Sequence, residues 1–259
     1  MKITKEDLMP FLLYDDKIEY SDDIELYPVT MADVLNFNLF SLSIKLRKDS
    51  TFRDKNIIKM SYLEFLIYSF NNKELEQQYG IVGLSNYYMY AIQLLHLCCR
   101  DAEIKINQQN KNIYINDQLI TSEVFDDLRR IIIIQNGIDF DIDEFLNFDT
   151  EQSLIKAKKH LTKDESEAGM EDYIDSLAIC MNVTPDVIKK MSIRKFWRYI
   201  NRYRLREEYT INRTGESSGF VTFKEPIKQW IRSIDNDDKY ASVKADEDAI
   251  KGKINNANG

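Results

Sequence analysis

The segment YYMYAIQLLHLCCR, residues 87–100, is apolar on nearly every side when it is drawn as a helix. A helix that is hydrophobic all round is buried, so this segment predicts the central helix of the fold. Asn86 precedes it and is a residue type that favours helix starts. The chain has 259 residues, of which 44% are hydrophobic, and a chain of this size can bury a core around such a helix.

Helices are also predicted on both sides of the central one. Apolar residues recur at helical spacing over 31–46, behind the capping residue Thr30. Ser61 and Glu64 have the S-x-x-E spacing of a capping box and precede another apolar run. Residues 121–136 form a further helical pattern that ends at an Asn-Gly pair, a favourable helix end. Only 8 Gly and 4 Pro interrupt the chain, which favours long helices.

Short alternating segments predict a small amount of β structure. Residues 103–107 (EIKIN) and 112–116 (NIYIN) alternate apolar and polar side chains, and the polar QQNK between them is typical of a hairpin loop. Residues 17–20 and 24–27 show the same period around a Ser-Asp-Asp turn. The sequence therefore predicts a protein that is mainly α with a small β-hairpin element.

The chain is predicted to have a two-part helical architecture. An N-terminal α-rich domain is expected over residues 1–162, with the hairpin near 103–116. The polar, small-residue segment 163–170 is the predicted linker. A C-terminal helical domain is expected over 171–234, and 235–259 has the composition of a flexible tail. The helices predicted in this half of the chain cover 149–163, 171–182, 184–191 and 192–206.

A strongly basic segment lies within the predicted C-terminal domain. Residues 187–206, VIKKMSIRKFWRYINRYRLR, contain eight basic residues and no acidic ones. The whole chain has a formal net charge of −8, so the rest of it carries −16. This segregation predicts a docking surface for a negatively charged partner. The candidate partner-binding residues are Arg194, Lys195, Trp197, Arg198, Arg202 and Arg206.

The basic segment is open to three interpretations. It can pack an aromatic stripe into a core while its cations cover the rim. It can bind a protein, because Arg, Trp and Tyr are favoured at interfaces. It can bind single-stranded nucleic acid, although the acidic remainder of the chain would repel the backbone. The apolar face of the predicted helix consists of Ile193, Phe196, Trp197, Ile200 and Tyr203.

Candidate catalytic and metal-binding patterns are incomplete. Asp139, Asp141 and Asp143 have the spacing that opens a calcium loop, but the glycine and the final glutamate of that loop are missing. The chain has two histidines, and only His96 has a cysteine, Cys99, at a spacing used in zinc sites. The segment 214–219 (TGESSG) lacks the Gly-Lys-Ser/Thr ending of a phosphate-binding loop and is typical of a flexible turn. We therefore predict no catalytic residue, no cofactor and no metal site.

The expected compartment is the interior of a cell. The first residues lack the basic start, long apolar run and cleavage site of a signal peptide. No unbroken apolar run approaches the roughly 20 residues that a bilayer requires, so no membrane span is expected. Cys98, Cys99 and Cys180 are predicted to be reduced core thiols. The sequence leaves self-association open.

Two segments resemble a known family. Residues 171–202, EDYIDSLAICMNVTPDVIKKMSIRKFWRYINR, resemble the helical pattern of tail assembly chaperones and related tail-morphogenesis proteins of tailed bacteriophages. Residues 24–37, IELYPVTMADVLNF, resemble the opening of the same proteins, which is a short strand, a proline and a Thr-capped helix. The resemblance implies a non-enzymatic phage protein in the host cytoplasm.

The resemblance also implies a role in tail morphogenesis. Such a protein would hold tape-measure or tail-tube subunits soluble before they polymerise. The Lys-, Ile- and Asn-rich composition is consistent with a Gram-positive host. The hairpin near 103–116 and the helix at 121–136 are not part of the family pattern, which leaves a permanent structural or connector protein of the virion as the alternative.

Overall fold

The computed structural model describes residues 3–144, 168–223 and 226–234, and within them it is mainly α with two small antiparallel sheets, as the sequence predicts. Short 3-10 helices cover Met31–Asp33, Ser41–Ile44 and Leu84–Asn86. The α-helices of the described residues are α1 (Lys5–Tyr14), α2 (Val34–Phe40), α3 (Lys48–Thr51), α4 (Lys55–Lys59), α5 (Tyr62–Asn71), α6 (Glu74–Tyr79), α7 (Tyr87–Cys98), α8 (Ser122–Gln135), α9 (Met170–Met181), α10 (Pro185–Lys189) and α11 (Ile193–Ser217).

Both predicted hairpins are present. Strands β1 (Ile18–Ser21) and β2 (Ile24–Leu26) form one antiparallel pair, and β3 (Ile104–Ile106) and β4 (Ile113–Ile115) form another. The sequence did not predict the third strand of the second sheet, β5 (Gln118–Leu119), which pairs with β4. Asn116 and Asp117, between β4 and β5, both have positive φ (47° and 64°), as the tightest hairpin turns require.

Helix α7 lies at the centre of the fold, as predicted, but one stripe of it reaches the surface. The helix packs against α2, α5 and the 3-10 turn at Ser41–Ile44. Tyr88, Ile92 and Leu94 are at most 2% exposed. Met89, Gln93 and His96, which are spaced by four and three residues, are exposed. Helical packing on three sides therefore leaves one narrow face of α7 open.

Helix α1 was not predicted from the sequence. Its N-terminus is closed by a capping box, in which the Thr4 hydroxyl accepts from the Asp7 amide and the Asp7 carboxylate accepts from the Thr4 amide. Pro10 lies inside the helix, where it removes one backbone hydrogen bond, and this interruption obscures the helical pattern. Burial of Leu8 and Leu12 fixes the helix on the core.

The capping box at the start of α5 is formed as predicted. The Ser61 hydroxyl accepts from the Glu64 amide at 3.2 Å, and the Glu64 carboxylate accepts from the Ser61 amide at 2.8 Å. Replacing Ser61 with alanine should therefore lower the free energy of unfolding by about 1 kcal/mol. Urea denaturation followed by circular dichroism measures this change. Glu64→Gln is the control, since glutamine retains the acceptor, and a loss as large as that of Ser61→Ala would contradict the capping role.

Tertiary contacts divide the chain into two compact units, Met1–Phe148 with Met170–Ile200 and Asp149–Gly169 with Asn201–Gly259. Residues 170–200, assigned from the sequence to a C-terminal domain, thus belong to the first unit. The predicted helix at 149–163, most of the linker at 163–170 and the tail at 235–259 lie outside the described residues. The predicted domain boundaries stay predictions.

Backbone hydrogen bonds tie α10 and α11 to the N-terminal part of the first unit. The Met31 amide donates to the Met191 carbonyl at 2.8 Å, and the Ile193 amide donates to the Val29 carbonyl at 2.9 Å. Thr30 and Ser192 form an isolated antiparallel bridge at this point. The start of α11 is therefore fixed by the segment that precedes α2.

The cysteines differ in their surroundings. Cys98 and Cys99 are buried free thiols, as predicted, and burial raises the pKa of the Cys99 thiol to about 12. Cys180 is exposed, so the prediction that it is a core thiol is wrong. It lies near the end of α9, where the side chains of Leu177 and Ala178 take the buried positions. The two core thiols are held in the unreactive protonated form.

Candidate partner-binding surface

Helix α11 carries all six residues that the sequence selects for partner binding. Ser192 caps its start, because the Ser192 hydroxyl accepts from the Lys195 amide at 3.1 Å and donates to the Asp15 carboxylate at 2.8 Å. The helix runs to Ser217, well beyond the predicted end at Arg206. The prediction of a flexible turn over 214–219 is therefore wrong for its first four residues, and the chain turns at Gly219, where φ is +74°.

Arg194 and Lys195 cap the C-terminal end of α1. The Arg194 Nη1 donates to the Leu12 carbonyl at 2.9 Å, and the Lys195 Nζ donates to the Leu13 carbonyl at 2.6 Å. The last carbonyls of a helix lack partners within the helix, and its C-terminal end favours positive charge. Helix α1 has no basic residue of its own in its last turn. These two cations therefore supply the positive charge that the last turn of α1 lacks.

The Arg194 side chain is buried against Gly137. Arg194 is 7% exposed. A Cβ atom at Gly137 would lie 3.1 Å from the Arg194 Cγ, and φ at Gly137 is +66°. Glycine at this helix end is therefore required twice, for its backbone conformation and for the close approach of the arginine stem. Next to it, the Asn136 side-chain oxygen accepts from the Val29 amide at 2.8 Å.

Trp197 packs inside the first unit. Its ring meets Tyr173 edge to face at a centroid distance of 5.1 Å and meets Phe196 in the same way at 5.2 Å. Phe196 is fully buried, whereas Trp197 and Arg198 are half-buried. The aromatic stripe predicted from the sequence thus packs into the core at these positions, as the first of the three interpretations requires.

In the second unit, Arg202 holds the segment that follows α11. The Arg202 Nη1 donates to the carbonyls of Trp230 and Arg232 at 2.9 and 2.6 Å. A cavity of about 230 Å³ lies beside this contact, with Leu205 and Tyr209 on the helix side. Hydrogen bonds from a charged donor are stronger than neutral ones, so Arg202 holds the segment around residues 230–232 against α11.

Some exposed side chains of α11 were not selected from the sequence. Tyr199 in the first unit is 41% exposed, and Tyr203 in the second is 40% exposed, although Tyr203 was assigned to the buried face. Arg204, which was not selected, is exposed, as is the selected Arg206, and Glu207 follows directly. Tyr203 is exposed because Leu205, at 7% exposure, takes the buried position in this turn. Leu205, an apolar residue within the basic segment, was the feature of the sequence that indicated which position of this turn is buried.

Exposed apolar and basic side chains also lie on α9 and α10. Ile179 is 80% exposed and Val187 is 48% exposed. Lys189 and Lys190, at the end of α10, are exposed as well. The sequence includes Val187 and both lysines in the basic segment, but Ile179 was not singled out.

In the described ranges, no group of three or more His, Cys, Asp or Glu side chains is arranged to hold a metal ion. Asp143, from the incomplete calcium-loop pattern, pairs with Arg130 through both carboxylate oxygens, at 2.8 and 3.0 Å. No helix of residues 3–144, 168–223 or 226–234 has both the length and the apolar character that crossing a bilayer requires.

Comparison with known proteins gives one partial match. Residues 158–235 match the family model for the second domain of YomV, which is a Bacillus phage-derived family. The match covers 78 of the 259 residues and includes α9, α10 and α11. No curated protein and no solved structure matches the chain. The similarity suggests a phage protein.

Proposed function

We propose that this chain is a phage protein that binds unassembled tail components in the host cytoplasm, in the manner of a tail assembly chaperone. Its client would be the tape-measure or tail-tube protein encoded by the same phage. In this proposal the protein is not an enzyme, and it acts by covering apolar surface of the client reversibly. The phage-derived family match supports the phage origin, and the resemblance of residues 171–202 supports the tail role.

The observation that carries this proposal is the exposed mixture of cations and an aromatic side chain on the part of α11 that lies in the second unit. Tyr203 is 40% exposed, and Arg204 and Arg206 next to it are exposed as well. Tyrosine and arginine are enriched in protein interfaces. The cations would select an acidic client by charge complementarity.

The structure separates the candidate residues by what each side chain contacts within the chain. Arg194, Lys195 and Arg202 donate to backbone carbonyls, and Trp197 packs on Tyr173. In the proposed function, these four residues hold α11 in place. Arg206, together with the exposed Arg204, would contact the client.

The double variant Arg204→Glu, Arg206→Glu tests the proposal. We expect it to weaken client binding at least about tenfold, because it replaces two attractive charges with two repulsive ones. It should leave the thermal midpoint nearly unchanged, since exposed substitutions have small effects on stability. Binding is measured by titration calorimetry with the tape-measure protein, or with soluble tail-tube subunits. Lys55→Glu, Lys59→Glu is the matched control, because these lysines are exposed on α4 and the charge change is the same.

The composition of purified phage particles separates the proposal from its alternative. A chaperone should be absent from mature particles, whereas a structural or connector protein should be present at fixed stoichiometry. Quantitative mass spectrometry of the particles measures this. If the protein is present in fixed copy number, or if the charge-reversed and control variants bind the client equally well, the proposed function is wrong. A shift of single-stranded DNA that depends on Arg204 and Arg206 would instead favour nucleic-acid binding.

A further inference from the structure

A cleft in the first unit combines an apolar wall with two partly buried cations. Its volume is about 310 Å³, and it lies between the segment around α3 and α4, helix α8 and the residues that follow α8. Phe140 and Ile142 form part of its apolar wall. Lys48 and Arg129 line it, and they also line an adjoining cleft of about 290 Å³ that includes Asp126.

Arg129 is buried without a carboxylate partner. It is 7% exposed, its Nε donates to the Ile44 carbonyl at 2.8 Å, and its guanidinium carbon lies 3.6 Å from the centre of the Tyr62 ring. The Ile44 contact uses one of the five N–H donors of the guanidinium, and the Tyr62 side chain also hydrogen-bonds to the group. Within the described residues, no carboxylate forms an ion pair with Arg129. A buried charge in this state is costly unless a counter-charge joins it.

Lys48 places a second positive charge in the same cleft. Its Nζ donates to the carbonyls of Ile58 and Met60, which leaves the third ammonium donor for another acceptor. Burial lowers the pKa of the Lys48 ammonium and the nearby charge of Arg129 lowers it further, while the carboxylates of Asp126, Glu64 and Asp49 oppose this shift. Two like charges that disfavour each other are thus held together by the fold.

Several of the neighbouring charges pair with one another rather than with Arg129. Arg47 forms an ion pair with Glu144 at 2.7 Å, and Arg130 pairs with Asp143 at 2.8 Å, so those four charges cancel. Asp126 acts electrostatically on both cations, but in the described part of the chain it forms no ion pair with either. Burial raises the pKa of the Asp126 carboxyl, while the nearby charges of Arg129 and Lys48 lower it. Asp49 also lines the cleft and attracts Lys48, so the lining as a whole is not positively charged, but Arg129 has no ion-pair partner among the described residues.

We propose that this cleft binds a carboxylate that carries an apolar group. The flat, two-oxygen carboxylate matches the donors of Arg129 and the free donor of Lys48, and the apolar group would lie against Phe140 and Ile142. The ligand is either a small free organic acid or the carboxylate of a peptide, since both present the same chemistry. The site does not rest on the proposed function, because it involves neither α10 nor α11.

Calorimetric titration of the full chain tests this site. The probes are benzoate, inorganic phosphate, and a leucine-terminated tetrapeptide as free acid and as amide. We expect benzoate or the peptide acid to bind, phosphate to bind at least about tenfold more weakly than the better of the two, and the amide not to bind. Tighter binding of benzoate identifies a free acid as the source, and tighter binding of the peptide acid identifies a peptide. Absence of binding by both, or equal binding of phosphate, overturns the proposal.

Two substitutions with opposite expected effects separate binding from stability. Lys48→Met should weaken binding about tenfold, whereas Asp126→Asn should strengthen it several-fold, because it removes a negative charge that acts on both cations. A purely structural change would not raise affinity. Lys59→Met is the matched control, since Lys59 is exposed on α4 and does not line the cleft. If Asp126→Asn does not raise affinity, or if Lys59→Met weakens it as much as Lys48→Met, the assigned ligand position is wrong.

Discussion

Replacing Phe196 with alanine should lower the free energy of unfolding by about 3–5 kcal/mol. Phe196 is 0% exposed and lies in the core of the first unit with Ile188 and Ile193. Its ring also meets that of Trp197 edge to face. Truncation removes the transfer free energy of the ring and leaves a cavity that the close-packed surroundings fill only in part.

Urea denaturation followed by circular dichroism measures the effect of Phe196→Ala. Tyr199→Ala is the comparison, because Tyr199 is on the same helix, is aromatic and is 41% exposed. We expect Tyr199→Ala to change the unfolding free energy by less than about 1 kcal/mol. Equal losses from the two variants would mean that α11 is not fixed to the core through Phe196.

Local signals in the sequence predict much of the fold. The capping box of Ser61 and Glu64 and the alternation of β3 and β4 each depend on neighbours within a few residues. Helix α1 was not predicted because Pro10 interrupts its pattern, although the Thr4-x-x-Asp7 spacing was a local signal for its start. Strand β5 has only two residues, too few for an alternating pattern.

The sequence predicts the basic helix, but it does not distinguish the roles of its cations. Arg194 and Arg206 look equivalent in the sequence. The structure buries Arg194 at a helix end that lies 182 residues away in the chain, and it leaves Arg206 exposed. This difference depends on where α1 ends, so no pattern within residues 187–206 contains it. A charge count shows where a surface can be positive, while tertiary packing decides which charges remain available.

The same limit applies to the cleft at Arg129. In the sequence, Arg129 and Arg130 are adjacent and alike. In the structure, Arg130 forms an ion pair with Asp143, whereas Arg129 turns inward to the Tyr62 ring and the Ile44 carbonyl. Adjacent residues on a helix point about 100° apart, so one faces solvent and the other faces the core. The cavity that Arg129 lines is formed by α8, the segment around α3 and α4, and the residues that follow α8. The sequence alone does not show that these segments meet, so it does not show that Arg129 is buried beside a cavity.

Replacing Arg194 with alanine should lower the free energy of unfolding by about 2–4 kcal/mol. The substitution removes a charged donor from the Leu12 carbonyl, and Leu12 is itself only 2% exposed. It also leaves empty space beside Gly137, which approaches the arginine stem. The loss thus combines an unsatisfied buried carbonyl with a cavity.

Lys195→Ala is the matched control for Arg194→Ala, because Lys195 donates to the next carbonyl of the same helix end from an exposed position. Water can replace an exposed donor, so we expect Lys195→Ala to cost less than about 1 kcal/mol. Thermal and urea denaturation measure both variants. If Arg194→Ala costs no more than Lys195→Ala, the buried cap does not stabilise α1, and Arg194 would become available to the partner contact in which the sequence first placed it.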